Sequence, residues 1–239
     1  MPPCLTLRAG PAALRLIREH GLRAEDVDII PGASGGAKWL ALGGLDRFLF
    51  GEFLQPARQR PLHLIGSSIG PNDDTFRHFT DLPTTHAALT SSNLRDVLVA
   101  SGSIPLLLNG VRIAGTSGGV HSDGGVIDYH LDLDFGSGNG LILYPHFYSY
   151  VVPGWFDKAL PRRRATPTNF QRVLLVAPSA EFVRSLPGGK LPDRDDFYRI
   201  PHSERMARWQ GVLNASAQLG EELRGLIFSG KIADRVRPW

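Results

Sequence analysis

The sequence predicts an α/β fold with a mostly parallel central sheet, on three observations. Strand-like and helix-like segments alternate through the first seventy residues. Two glycine-bracketed serines, in Gly32-Ala33-Ser34-Gly35-Gly36 and Gly66-Ser67-Ser68-Ile69-Gly70, each follow a strand-like run. Further apolar runs at Leu141-Ile142-Leu143-Tyr144 and Val173-Leu174-Leu175-Val176 supply later strands. Such alternation is the pattern of crossovers packed on a parallel sheet, whose active loops lie at the carboxyl ends of the strands.

Taken in order, Leu5-Thr6-Leu7 is a short strand. Pro11 to His20 is a helix, opened by a proline, closed by Gly21 and patterned by Leu14, Leu16 and Ile17. Asp26 to Ile30 alternates and then runs apolar into Pro31-Gly32, a strand feeding the first pentapeptide. Ala37 to Phe50 is helical, with Leu40, Leu45, Phe48 and Leu49 on its buried face. Pro61 to Ile65 is a buried strand feeding the second pentapeptide. Ser91-Ser92-Asn93 caps a helix carrying Leu94, Val97, Leu98 and Ser101. Val111-Arg112-Ile113 is a further strand. A long amphipathic helix starts near Ser203, with Met206, Trp209, Leu213, Ala217 and Leu219 as a core stripe. Pro161 to Thr168 and Leu186 to Asp196 are loops.

Composition narrows the function classes. The chain has 239 residues, 42% hydrophobic and 21% charged, which suits one sizeable globular domain or one domain with a small appendage. The net charge of +3 is spread among 23 acidic residues, so nucleic acid is not the expected partner. Arg162-Arg163-Arg164 is the densest positive spot and reads as a solvated loop, with anionic lipid headgroups as the alternative. One cysteine, Cys4, excludes an intrachain disulfide. No apolar run reaches the ~20 residues of a membrane span, and Met1 to Gly10 lacks a secretory apolar stretch. The chain therefore reads as soluble and cytoplasmic. No Cys/His cluster has metal spacing. Gly32 to Lys38 falls short of a nucleotide phosphate loop, because Ala37 replaces its glycine and Trp39 its Ser/Thr. Neither a metal nor a cofactor is expected.

The G-x-S-x-G spacing is that of a nucleophile elbow, a tight strand-to-helix turn that exposes the serine hydroxyl. Acyl transfer needs a nucleophile, a base and N–H donors for the oxyanion. If Ser34 were the nucleophile, its donor loop would be Ala9-Gly10-Pro11, where Pro11 has no N–H to give. If Ser68 is the nucleophile, Ser34-Gly35-Gly36-Ala37-Lys38 becomes the donor loop at a helix start. Ser68 fills every role and is preferred; Ser34 remains the alternative.

In this order the motifs resemble the patatin-like phospholipases. That family has a glycine-rich loop of the form G-G-G-x-[KR]-G, a G-x-S-x-G serine roughly thirty residues later, and an aspartate in D-G-[GA]. Ser34 to Trp39 matches the middle of the loop, Ser68 follows Gly36 by 68 − 36 = 32 positions, and Asp123-Gly124-Gly125 matches the third motif. Ala100 to Pro105 resembles the segment the family places before it. The resemblance covers about residues 27–135. It implies a three-layer sandwich over residues 1–239 and a Ser–Asp dyad in which Asp123 takes the proton of Ser68. Gly35 and Gly36 would hold the oxyanion, and a phospholipid or similar acyl ester would be cleaved, with transient contact to a membrane surface.

The chain also departs from that pattern. Ser34 and Trp39 stand where the loop has glycines, and Gly70 is followed by Pro71, which disfavours helix just before it. A helical segment of the family near residues 70–75 is thus expected to be missing. A catalytically inactive lipid-binding or scaffold protein is the rival reading. Asp128 is the fallback base, while His146 and His202 read as packed, hydrogen-bonded residues more than as members of a triad. Leu141 to Trp155 suits either an acyl pocket or core packing.

Overall fold

The computed structural model describes residues 2–29, 44, 45, 47–53, 87–116, 119–126, 129–132, 135, 138–160, 162–165 and 167–239. The chain divides into two compact units: Met1–Arg60, Gly138–Tyr150 and Thr166–Trp239 form one, and Pro61–Ser137 with Val151–Ala165 the other.

The first unit is a mixed α/β fold on a five-stranded, mostly parallel sheet. Its strands are β1 (Leu5–Ala9), β2 (Val27–Ile29), β3 (Leu141–Pro145), β4 (Val173–Pro178) and β5 (Arg237–Pro238), in the order β2-β3-β4-β1-β5. β2, β3 and β4 run parallel. β1 is antiparallel to β4, pairing Leu5 with Pro178 and Ala9 with Leu174, and β5 is parallel to β1. The sheet is mostly parallel as expected; alternation of strands and helices does not fix the direction of each strand, and β1 is the one that runs against β4. β3 and β4 are buried at every position. Their unbroken apolar runs are what two covered faces require.

Helix α1 (Pro11–His20) has the predicted ends. Gly10 offers no side-chain cap; instead the N–H groups of Ala12 and Ala13 donate to the Gln171 carbonyl at 3.0 and 3.1 Å. This satisfies donors that a helix start otherwise leaves open. Gly10 itself lies so close to the Phe170 carbonyl that any Cβ would collide with it. At the far end Gly21 adopts φ +81°, and its N–H donates to the Ile17 carbonyl at 2.9 Å.

After β4, helix α3 spans Ala180–Ser185, α4 Asp196–Arg199, α5 His202–Phe228 and α6 Ile232–Arg235. (Helix α2, Leu94–Ser101, belongs to the second unit.) The Ser179 hydroxyl caps α3, accepting from the Phe182 N–H at 3.0 Å and donating to the Pro3 carbonyl at 2.6 Å. The long helix α5 is present as predicted, but its buried stripe is Val212, Ser216, Leu219, Gly220 and Leu223. Of the predicted stripe only Leu219 is buried; Met206 and Ala217 are exposed. The cause is backbone contact. Gly44, itself helical, donates its N–H to Ser216 Oγ at 3.0 Å, and a Cβ on Gly220 would strike the Gly44 carbonyl. Small residues therefore occupy that seam. Its neighbours Leu45, Phe48 and Leu49 are buried as predicted.

In the second unit, α2 spans Leu94–Ser101. Asn93 precedes it as predicted, yet its side chain ties backwards, accepting from the Thr90 N–H at 2.8 Å and donating to the Ala88 carbonyl at 2.9 Å. Val111 forms only an isolated antiparallel bridge with His121, so the strand predicted at Val111-Arg112-Ile113 is corrected. The Ile113 carbonyl instead accepts from Thr116 Oγ1 at 2.8 Å, closing a turn. Short 3₁₀ turns follow at Gly124–Val126 and Trp155–Ala159. The strand expected at Pro61 to Ile65 lies outside the described residues. Among the described residues no helix is long and apolar enough to cross a membrane.

Candidate functional site

Of the residues singled out by sequence, Ser34, Gly35, Gly36, Lys38, Ser68 and Asp128 lie outside the described residues. Asp123 is described, and its local geometry is specific. It is half-buried, at the start of the 3₁₀ turn Gly124–Val126. Its N–H donates to the Ser103 carbonyl at 2.9 Å, just beyond α2. Its Oδ1 accepts from the Gly125 N–H at 2.8 Å. A Cβ at position 125 would sit 3.0 Å from that same oxygen. The second glycine of Asp-Gly-Gly thus lets the chain fold back on the carboxylate. The hydrogen bond from Gly125 is to Oδ1 alone. An aspartate folded onto the N–H two residues on is also ordinary turn chemistry, so the geometry serves both a base and a plain turn.

The histidines take structural roles. His146 is buried, and its Nδ1 lies 2.9 Å from the backbone N of Tyr148. It stacks on Phe147 at 4.4 Å between centroids, as expected of a packed side chain. His202 is exposed at the start of α5, where its Nδ1 lies 3.1 Å from Arg205 Nη2; it is hydrogen-bonded but not packed. Sequence reading passed over His130, which is fully buried and accepts from the Val152 N–H at 2.9 Å. A lone histidine next to Asp128-Tyr129 carries no spacing pattern that marks it as buried. The run Leu141 to Pro145 is β3 and belongs to the core, which satisfies the packing alternative for that part of the stretch.

The arginine run is only partly a solvated loop. Arg163 Nε donates to Asp157 Oδ1 at 2.7 Å, and Arg164 Nη1 to the Asp157 carbonyl at 3.3 Å. Asp157 also accepts from the Gly154 N–H at 3.0 Å. Two of the three arginines thus hold the turn Trp155–Ala159 in place.

A groove of about 460 Å³ runs between the Pro2–Cys4 segment and α5, with Gln218, Glu221, Glu222 and Arg235 on its walls. Arg235 Nη2 donates to Glu222 Oε1 at 3.0 Å. Burial, then the Glu222 carboxylate, pushes the Cys4 thiol above its ordinary value. A thiol so placed is a poor nucleophile. Among the described residues, no three His, Cys, Asp or Glu side chains gather as a metal site would.

No family model matches the chain, and neither a curated protein nor a solved structure matches it. The class defined by its own coordinates is that of a mixed α/β protein with a mostly parallel sheet.

Proposed function

We propose that the protein is a serine lipid acyl hydrolase of the patatin-like type, a three-layer α/β sandwich working through a Ser68–Asp123 dyad. The observation that carries this reading is the order and spacing of three motifs: the loop Ser34–Lys38, the Gly66–Gly70 pentapeptide and Asp123-Gly124-Gly125. Each is loose alone; together they supply one candidate for every role that acyl transfer needs.

In this mechanism Ser68 Oγ attacks the ester carbonyl while its proton passes to the Asp123 carboxylate. The N–H groups of Gly35 and Gly36 hold the oxyanion that forms. Collapse of the tetrahedral adduct breaks the bond to the alcohol, which leaves with the proton from Asp123. A water then gives its proton to Asp123 and attacks the acyl-serine, releasing the fatty acid and restoring Ser68. The substrate class is a phospholipid or related acyl ester.

The rival reading is an inactive lipid-binding or scaffold protein. It is favoured by the Gly70-Pro71 junction and by the turn role that Asp123 Oδ1 already fulfils. Fluorophosphonate labelling of the full chain separates the two. Labelling that is lost in Ser68→Ala, kept in Ser34→Ala and weakened at least tenfold in Asp123→Asn is the expected result. Labelling that survives Ser68→Ala but not Ser34→Ala reassigns the nucleophile, and none in the wild type favours the rival.

A further inference from the structure

Between Ala87 and Ser122 the second unit exposes an aliphatic surface that core packing does not explain. Leu94 and Leu98 stand one helical turn apart on α2, with Val99 beside them, and all three are exposed. The opposite side of the helix is turned inward at Ala100. Directly after the helix, the N–H groups of Leu107 and Leu108 both donate to the Ile104 carbonyl, at 3.2 and 3.0 Å. Leu106, at the tip of that turn, has φ +72° and is 95% exposed. A left-handed conformation is uncommon for a residue of this bulk. Leu107 and Leu108 are 65% and 57% exposed. Three consecutive leucines so placed are the reverse of what a surface turn usually carries.

The exposed charges of this stretch are positive. Between Ala87 and Ser122 the charged residues are Arg95, Asp96 and Arg112. Arg95 and Arg112 are exposed, and neither forms an ion pair among the described residues, whereas Asp96 is half-buried. The stretch contains no Trp or Tyr, the aromatic residues that dominate protein–protein hot spots, and of the hot-spot types carries Arg alone. Leucines flanked by arginines suit the boundary between acyl chains and anionic headgroups.

We propose that the exposed face of α2 and the Ile104–Leu108 turn form a docking surface for anionic phospholipid bilayers. Leu106, Leu107 and Leu108 enter the acyl boundary, while Arg95 and Arg112 meet the headgroups. The proposal deepens the lipid acyl hydrolase reading and rests on it for purpose, because Ser103, the residue just before this turn, accepts the Asp123 N–H at its carbonyl. A bilayer held at Leu106 is therefore joined to the candidate base through one turn of chain.

Vesicle flotation of the full chain tests it, using phosphatidylcholine alone and phosphatidylcholine with 30% phosphatidylglycerol. The wild type is expected to float with anionic vesicles and at least tenfold less with neutral ones. Leu106→Ser/Leu107→Ser/Leu108→Ser should lose at least tenfold in partitioning while melting as the wild type does, since these side chains are exposed. Arg95→Gln/Arg112→Gln should remove most of the preference for anionic lipid. Equal flotation of the triple variant, or no flotation of the wild type, overturns the proposal. So does a wild-type dimer that the triple variant dissociates without any vesicle binding. Asp123→Asn should float like the wild type. Flotation reads binding alone, so failure of the dyad leaves this result standing, and failure here leaves the dyad to its own labelling test.

Discussion

The backbone N–H of Asp123 donates to the carbonyl of Ser103 across 2.9 Å, and this bond ties the Asp-Gly-Gly turn to the end of α2. Ser103 is itself held, because its hydroxyl donates to the Val99 carbonyl at 2.7 Å. The position of the candidate base is thus set by helix α2 and by the glycine two residues on.

Gly125→Ala tests how closely that turn is fitted. The new methyl would sit 3.0 Å from Asp123 Oδ1, nearer than a Cβ normally approaches an oxygen. The carboxylate must rotate or the turn must open. A stability loss of about 1 kcal/mol is expected, with a disproportionate fall in fluorophosphonate labelling of about tenfold or more. Thermal melting beside labelling rates checks this. Unchanged labelling would mean that the carboxylate orientation does not matter to the chemistry.

The seam between Gly44 and α5 yields a contrast within one helix. A Cβ at Gly220 would overlap the Gly44 carbonyl, whereas a Cβ at Gly225 meets nothing within 4 Å. Gly220→Ala should therefore cost about 3 kcal/mol by forcing backbones apart, seen as a fall in Tm of about 6–12 °C. Gly225→Ala should stabilise by about 0.5–1 kcal/mol through helix propensity alone. Equal effects from the two would show that the helices do not meet there.

The same seam explains what the sequence could and could not reveal. The ends of α1 were legible because Pro11 and Gly21 act locally, each through its own backbone. β3 and β4 were legible because burial on both faces leaves an unbroken apolar run. Hydrophobicity alone does not mark the buried stripe of α5. Where two backbones approach closely, Ser216 and Gly220 are buried and Met206 is left outside. The direction of β1 was beyond reach, since Leu5–Ala9 has the same pattern whichever way it pairs. At the candidate site, Asp123-Gly124-Gly125 could be read as a turn from its residue types, but its bond to Ser103 joins positions twenty apart and leaves no local trace.

Cys4 offers a probe of electrostatics away from that site. Burial raises its thiol above the ordinary value, and Glu222 adds to the effect. The Cys4 N–H also donates to Glu222, so the carboxylate is held beside the thiol. Glu222→Gln removes the negative charge and should shift the pH profile of thiol labelling downward. At pH 8 the rate with a disulfide reagent should rise several-fold, since the thiolate is the reacting form. A profile that does not move would assign the slow reaction to burial alone.

Asp196 yields a pH dependence of folding with a definite sign. The residue is buried, and its Oδ1 lies 2.6 Å from Lys190 Nζ while Oδ2 accepts from Trp209 Nε1 at 2.9 Å. Burial pushes the carboxyl up, but the bonds from Lys190, Trp209 and the Asp193 N–H outweigh it, so the group sits below its ordinary value. The unfolded chain therefore binds this proton more readily than the folded one. The stabilisation is fully present above the unfolded value of about 3.9 and is lost as pH falls through the folded one. Asp196→Asn should cost about 2 kcal/mol at pH 7, in the range for a buried hydrogen bond to a charged group. The gap between variant and wild type should narrow as pH drops from 5 towards 3, because the wild type alone has this charge to lose. Urea unfolding at pH 3, 4, 5 and 7 measures it. A gap as wide at pH 3 as at pH 7 would show that the Lys190–Asp196 pair contributes nothing through its charge.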